Sequence, residues 1–240
     1  MNQKISTIIS YSTLDSKFLG SCVKGILDIS EEVIISYSNK RWDGSNEDLE
    51  ILNNDIERFS SEKVNFIEYF ATEKHEQIQR QNGYNRSKKN SNFYLFIDVD
   101  EVFDHEKLKS WINNSDLDSY DAYNFECYWY FRDYKYRALT KEYAGLLIRN
   151  DFLTETTFLE KNGQRWGVLD SIEKRIYRIK FDNFPFLHHY SWVRNKEEML
   201  MKVSGWMHQN EKDWNSLIEE EFSREFNGTD FVHKYSYEII

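Results

Sequence analysis

Apolar runs and apolar stripes alternate along the first half of the chain. Runs of branched and aromatic residues predict four strands, at residues 4–10, 32–37, 64–69 and 93–97. Between the first two, apolar residues recur about every fourth position from Phe18 to Leu27, which predicts an amphipathic helix. A second helix carries Leu49 to Phe59, and we expect Ser45 to cap it. Strand, helix and strand in this order predict right-handed crossovers and a mostly parallel sheet.

The pattern changes in the second half of the chain. Apolar and polar residues alternate from Tyr123 to Arg132, and further strands are predicted over Ala144–Arg149 and Tyr177–Phe181. Two helices follow, one with an apolar stripe from Met199 to Met207 and one over Asp213–Phe226. The chain is therefore predicted to be an α/β domain with a central mixed sheet flanked by helices and with helices at its C-terminal end.

One segment is unusually polar for a helix. Between Glu73 and Asn90 only Ile78 and Tyr84 are apolar anchors. Such a segment is either a solvated face or one wall of a site.

Composition limits the possible partners. The formal charge is −10, from 31 basic and 41 acidic residues, which argues against a nucleic-acid binder or an anionic-membrane binder. Cys22 and Cys127 lie far apart without metal-type spacing, so we expect a cytoplasmic, reducing setting. We find neither a signal peptide nor an apolar segment long enough to span a membrane. A single proline and the absence of a Gly/Ser-rich run predict one domain.

Three acids follow the fourth strand. Asp98, Asp100 and Glu101 come directly after the apolar run Phe93–Ile97, at the strand end where open α/β sheets bind ligands. Carboxylates this close need a neighbouring cation, and hard oxygen ligands suit Mn²⁺ or Mg²⁺. Two other interpretations fit the same residues. One is a plain strand end before a helix capped by Asp104, and the other is the opening motif of a haloacid-dehalogenase phosphatase.

With these acids, the first hundred residues resemble the nucleotide-binding half of a GT-A glycosyltransferase, close to family 2. The resemblance is carried by four segments: Ser10-Tyr11-Ser12, Asp43-Gly44-Ser45, Arg80-x-Asn82-Gly83 and Asp98-x-Asp100. It implies a single GT-A domain, with a nucleotide-sugar-binding half at residues 1–104 and an acceptor half at residues 105–240. The chain departs from the family at the end of strand two, where Ser36-Tyr37-Ser38 replaces the usual acid.

The resemblance also implies roles for particular residues. Asp98 and Asp100 would hold a divalent metal, Mn²⁺ or Mg²⁺, that bridges the diphosphate of a nucleotide sugar, with a UDP-sugar favoured. The residues implied to surround the nucleotide are Ser10, Tyr11, Ser12, Asp43, Arg80, Asn82, Gly83, Asp98 and Val99. The acceptor would be a hydroxyl of a glycan or of another molecule.

A late segment from His188 to Arg194 adds further candidates. His189 is expected to complete the metal shell, with His188 and His233 as alternatives. Arg194 and Lys202 are expected to supply positive charge to the departing nucleoside diphosphate.

An inverting transfer needs a carboxylate within reach of the acceptor hydroxyl. Glu142 is the first candidate for this base and Asp170 the second; a transfer that retains the anomeric configuration needs neither. Three alternatives to a glycosyltransferase stay open: a metal-dependent phosphatase, a sugar-nucleotide pyrophosphorylase, and a GT-A domain that binds without turnover. The first expects its acids after the first strand, and the second expects a Gly-rich basic loop where this chain has Tyr11–Asp15.

Overall fold

The computed structural model of the protein describes residues 3–70, 75–160, 164–171, 175–179, 185–205 and 210–240. Ten strands in these ranges form one sheet. The strands are β1 (Ile5–Ser10), β2 (Glu32–Tyr37), β3 (Val64–Glu68), β4 (Phe93–Asp98), β5 (Glu101–Phe103), β6 (Ala122–Phe131), β7 (Asp133–Arg149), β8 (Ile176–Ile179), β9 (Leu187–Trp192) and β10 (Tyr237–Ile239). The α-helices in these ranges are α1 (Ser16–Ile26), α2 (Leu49–Phe59), α3 (His75–Arg86), α4 (His105–Asn114), α5 (Thr157–Glu160), α6 (Arg165–Ser171), α7 (Lys196–Ser204) and α8 (Trp214–Phe222).

The sheet joins a parallel half to a mixed half. Its order is β3-β2-β1-β4-β7-β6-β9-β5, while β8 pairs with β6 and β10 with β7. The first four strands in this order run parallel, and β7 is antiparallel to β4. The predicted fold class is therefore confirmed: the protein has an α/β, GT-A-like fold with a Rossmann-like first half and a mixed, mostly parallel sheet.

The two faces of β1, β2 and β4 are buried under different helices. Alternate residues such as Ile9 and Ile97 pack on one face with Leu19 of α1 and Leu108 of α4. Residues between them, such as Ile8 and Phe96, pack on the other face against α3, α5 and α6. Burial on both faces explains the unbroken apolar run Phe93–Ile97 of β4 and the consecutive branched residues Ile8-Ile9 of β1 and Val33–Ile35 of β2.

A third core lies beyond the parallel half. Trp192 at the end of β9 packs with Met199 of α7, with Trp214 and Ile218 of α8, and with Phe231. The C-terminal helices therefore close the sheet on the side where β9 meets β6. The described part of the chain contains no helix that is both long and apolar enough to cross a membrane.

Local details differ from the predicted ones. Helix α2 is capped by Asp48, whose Oδ1 accepts from the backbone N–H groups of Glu50 (3.0 Å) and Ile51 (3.1 Å). The prediction that Ser45 caps this helix is wrong, because the Ser45 hydroxyl donates to Oδ1 of Asp43 in the preceding turn at 2.6 Å. The strand β10 was not predicted. Phe181 of the predicted strand and Trp206 and Met207 of the predicted helix stripe lie outside the described residues.

Candidate functional site

A cavity of about 420 Å³ opens at the carboxyl ends of β1 and β4. We call it the central cavity. Its walls come from the loop after β1, the turn after β2, helix α3, the acid motif, helix α6, strand β9 and helix α7. The predicted site residues that line it are Ser10, Tyr11, Ser12, Arg80, Asp98, Val99, Asp100, His189 and Lys202. The structure thus brings together residues that lie up to 192 positions apart, from Ser10 to Lys202.

Sheet register places the acid motif beside its neighbours. Asp98 is the parallel partner of Ser10, and the Val99 N–H donates to the Ser10 carbonyl at 3.1 Å. After a tight turn the chain forms β5, in which Glu101 is the antiparallel partner of His189. The end of the first strand, the acids and the late histidine therefore meet at one edge of the sheet.

Two arginines bind the Asp98 carboxylate. An Arg80 terminal nitrogen donates to both Asp98 oxygens, at 2.8 and 3.1 Å. A terminal nitrogen of Arg165, from α6, donates to Asp98 Oδ2 at 3.3 Å. Burial by itself would raise the pKa of Asp98, but Arg80 and Arg165 lower it below its usual value. Asp98 is therefore ionised and already neutralised by the chain.

Glu101 anchors the second of these arginines. Its carboxylate is fully buried and accepts two hydrogen bonds from Arg165, each 2.5 Å long. It also accepts from the Asp98 N–H at 3.1 Å, which fixes the turn of the motif. Burial opposes the charge of Arg165, but Glu101 and Asp98 raise its pKa above the usual value. Sequence reasoning missed Arg165, because no motif or periodicity surrounds it.

Asp100 faces His189 instead. Its Oδ1 lies 3.5 Å from His189 Nε2 and accepts no hydrogen bond from the residues that the structure describes. Burial would raise the pKa of Asp100, but His189 and Lys202 lower it. Burial would likewise lower the pKa of His189, and Asp100 raises it well above its usual value. The Trp129 ring packs edge-on against His189, with 4.5 Å between ring centroids.

Buried polar residues hold the loop after β1. The Ser12 hydroxyl donates to Glu47 Oε1 at 2.6 Å, and Thr13 donates to the other oxygen through its N–H (3.2 Å) and its hydroxyl. The Gln79 amide donates to the carbonyls of Tyr11 (3.0 Å) and Ser36 (2.8 Å). Glu47 and Gln79 were not predicted as site residues. The polar composition of α3 was the signal that pointed toward Gln79.

Four predicted nucleotide-site residues do not line the central cavity. Asp43 lies in an exposed turn, and the Asn82 amide contacts the Ser36 hydroxyl at 3.4 Å. Gly83 packs α3 against β1, since a Cβ on it would lie 2.4 Å from Cγ2 of Ile8. The fourth is Arg194.

Arg194 binds the chain's own acceptors. Its buried guanidinium donates to the carbonyls of Ser191 (2.9 Å) and Leu14 (2.8 Å) and forms an ion pair with Asp15. These bonds tie the loop after β1 to the segment between β9 and α7. Arg194 therefore positions the cavity wall.

The two predicted bases also lie outside the lining of the central cavity. Glu142, half-buried on β7, accepts from the Tyr235 hydroxyl at 2.5 Å. Asp170 is exposed on α6. Their roles stay predictions. Of the alternative histidines, His188 lies 2.7 Å from the Tyr130 hydroxyl and does not line the cavity, whereas the exposed His233 does.

The donor set has the right chemistry for a divalent cation. Asp98, Asp100 and His189 offer two carboxylates and an imidazole to one cavity. Asp100 adds a buried oxygen that lacks a hydrogen bond from any described residue. The described residues contain no ready-made cluster of three ligand side chains. Arg80 and Arg165 hold Asp98 in this arrangement, so metal binding by these residues stays a prediction.

Comparisons of this chain with known proteins support its fold. No protein-family model matches the sequence, and no curated protein matches it. Among solved structures, 4-diphosphocytidyl-2C-methyl-D-erythritol synthase from Anaerococcus prevotii is similar, with 10% identity over 83% of this chain and 97% of that chain and a TM-score of 0.50. At this identity the likeness shows a shared fold.

Two further solved structures have slightly lower scores. The inositol-1-phosphate CTP transferase from T. maritima has 8% identity over 84% of this chain and 96% of that one, with a TM-score of 0.49. S. aureus TarS 1–349 in complex with UDP has 12% identity over 92% of this chain and 72% of that one, with a TM-score of 0.48.

Proposed function

We propose that the protein is a glycosyltransferase that moves a sugar from a nucleotide diphosphate sugar, with a UDP-sugar favoured, to an acceptor hydroxyl. The observation that carries the proposal is the meeting of acids and cations in the central cavity. Asp98 and Asp100 lie there with Arg80, Arg165 and Lys202, at the carboxyl ends of parallel strands. A diphosphate needs this combination, because its negative charge grows as the sugar departs.

The cationic side chains would bind and stabilise the diphosphate. Lys202 reaches the cavity from α7, and burial and the nearby Arg194 lower its pKa. A weakly hydrated ammonium of this kind gains strongly from a phosphate partner. Arg80 and Arg165 add planar guanidinium groups, which match the geometry of phosphate oxygens.

The same proposal includes a divalent cation. Asp98, Asp100 and His189 would hold Mn²⁺ or Mg²⁺, and the bound cation would neutralise the leaving diphosphate as a Lewis acid. The support is the chemistry of these donors and the unbonded oxygen of Asp100.

Aromatic side chains give the cavity flat apolar walls. Trp42, Tyr69 and Trp166 line it, and Trp166 is 42% exposed. Aromatic faces of this kind stack on bases and on the apolar faces of sugars. On the acceptor side, Glu142 connects to the cavity through Tyr235, whose ring stacks on His233 at 5.1 Å between centroids.

A phosphatase is a poorer match to the same geometry. A phosphatase that works by covalent catalysis through Asp98 would need this carboxylate as its nucleophile. Both oxygens of Asp98 accept hydrogen bonds from Arg80, which lowers their reactivity. A domain that binds nucleotide without turnover has the same geometry as an enzyme, so only an experiment separates the two.

The test is a thermal-shift panel of nucleotide sugars, each with and without Mn²⁺. We expect one donor to raise the melting temperature only with Mn²⁺, because a ligand at a hundred times its Kd stabilises the fold by about 2.7 kcal/mol. Asp100→Asn should abolish the Mn²⁺-dependent part. The control Asp151→Asn, at an exposed ion pair with Arg149, should retain it. Indifference of the wild type to every donor refutes the proposal.

Turnover is measured on the same samples. Release of nucleoside diphosphate from the stabilising donor, with water as the acceptor, identifies an enzyme. Stabilisation without any release over many hours, with water and with a panel of glycan acceptors, identifies a domain that only binds.

A further inference from the structure

His233 presents an exposed imidazole at the edge of the central cavity. Its ring lies edge-on to Trp129, with 5.0 Å between ring centroids and an angle of 86° between the ring planes. On another side the ring stacks on Tyr235, with a centroid distance of 5.1 Å and an angle of 20°. Within the described part of the chain, the imidazole makes these ring contacts but no hydrogen bond and no ion pair.

A buried carboxylate fixes the backbone around this histidine. Asp230 is 1% exposed, and its Oδ1 accepts from the His233 N–H at 2.5 Å and from the Lys234 N–H at 3.3 Å. Its Oδ2 accepts from the Tyr235 N–H at 2.9 Å. The backbone bonds and the two aromatic rings therefore hold the imidazole in place, which a group that acts on a substrate requires.

The other proton acceptors in the cavity lining are already engaged. Five described carboxylates line the cavity, and each faces a cation or accepts hydrogen bonds from the loop after β1: Asp15, Glu47, Glu76, Asp98 and Asp100. The second lining histidine, His189, pairs with Asp100. A partner of this kind stabilises the charged form of a carboxylate and so makes it a weaker base. Among the described lining residues, His233 is thus the group best placed to accept a proton.

We infer that His233 is the general base of the proposed sugar transfer. An imidazole nitrogen takes the proton of the acceptor hydroxyl while the hydroxyl oxygen forms a bond to the anomeric carbon. The bond from that carbon to the diphosphate oxygen breaks, and the diphosphate leaves with the electron pair. A histidine is a common general base near neutral pH. The inference rests on the proposed function and does not depend on which cation neutralises the acid motif.

The test compares the wild type with His233→Gln and His233→Phe. Release of nucleoside diphosphate is measured from each nucleotide sugar of the thermal-shift panel, UDP-glucose and UDP-N-acetylglucosamine included, with water as the acceptor. A general base typically contributes about 10²- to 10⁴-fold, so we expect both variants to be slower by about a hundredfold or more. The phenylalanine keeps an aromatic ring beside Trp129 and Tyr235, so its loss of rate reports on the nitrogen atoms.

Two further measurements separate proton transfer from a structural role. UDP affinity, measured by calorimetry, should stay within about twofold of the wild-type value in both variants, because the base acts on the acceptor. Azide attacks as an anion that has no proton to remove, and it forms a glycosyl azide while the same diphosphate leaves. Added azide should therefore bring the release rate of His233→Gln to within about tenfold of the wild-type rate with azide. The control is His105→Gln on α4, outside the described cavity lining, which should match the wild type.

The outcomes distinguish the base from the function on which it rests. A fall of less than about threefold in either variant overturns the assignment of His233. A loss that azide does not restore, or a parallel loss of UDP affinity, overturns it as well, because either result indicates a structural role. Melting curves establish that the variants fold, and either variant alone is enough for the comparison. A wild type that releases no nucleoside diphosphate from any donor overturns the proposed function too, whereas equal release by wild type and variants overturns the base alone.

Discussion

His188 gives a prediction about stability that depends on its surroundings. Its ring lies among aromatic residues, 5.6 Å from Tyr128, 5.8 Å from Tyr130 and 6.0 Å from Tyr190 between ring centroids. Burial, and then the nearby Lys107, lower the pKa of His188 to about 4. The folded protein therefore keeps this imidazole neutral well into the acidic range.

The sign and the size of the effect follow from the two protonation states. In the unfolded chain a histidine has a pKa of about 6.5, so at lower pH the unfolded state takes up the proton first. His188 then contributes its full stability above about pH 6.5 and loses it as the pH falls toward 4. The whole loss is about 3 kcal/mol, and about 2 kcal/mol of it is reached by about pH 5.

The assay is urea unfolding of the wild type and of His188→Gln at about pH 7.5 and about pH 5. Carboxylates titrate in both proteins, so the difference between the two pH dependences isolates the histidine. We expect the wild type to lose about 2 kcal/mol more than the variant between the two conditions. Equal losses would show that the imidazole is freely protonated in the folded state and would refute the reasoning.

Four further substitutions test packing and the roles of single side chains. Gly83→Ala places a methyl group 2.4 Å from Cγ2 of Ile8 and should lower the free energy of unfolding by about 1–3 kcal/mol, measured in urea. Gly205→Ala, with its nearest described neighbours 3.9 Å away, should change it by less than about 0.5 kcal/mol. Glu142→Gln should leave the rate of donor hydrolysis within about threefold of the wild-type rate, because the Glu142 carboxylate lies outside the cavity lining. A hundredfold fall in this rate would instead support Glu142 as the general base. Arg194→Lys should lower the melting temperature, since a lysine cannot hold both backbone carbonyls.

The parallel strands were predictable because their burial is apolar on both faces. Ile5–Ser10 and Phe93–Asp98 occupy central positions in the sheet; the second is an unbroken apolar run up to Ile97, and the first has three isoleucines around Ser6 and Thr7. The polar residue that ends each run then marks the edge of the sheet, so Ser10 and Asp98 could be expected at one site. The sequence carried this information locally.

Helix α3 was less predictable because the side chains that it buries are mostly polar. Gln79, Arg80 and Gln81 are all buried, although hydrophobic periodicity places none of them in a core. Gln81 donates to the Thr154 carbonyl at 3.0 Å and accepts from the Phe158 N–H at 2.9 Å, and these partners lie more than 70 positions away. A polar side chain is buried only where such partners exist. The sequence left two alternatives for this segment, and the structure places it as a wall of the cavity.

The acid motif also depends on a partner that lies far away in the sequence. This dependence decides which aspartate gives the cleaner test of a bound cation. The crowded carboxylates were expected to need positive charge, and part of that charge comes from Arg165, a residue 64 positions beyond Glu101. Asp98→Asn would therefore disturb the arginines as well as any cation, so its phenotype has two causes. Asp100 contacts neither arginine at hydrogen-bond distance, and its Oδ1 accepts no hydrogen bond from the described residues although it lies 3.5 Å from His189 Nε2. A cation requirement at this site is consequently tested more cleanly at Asp100 than at Asp98.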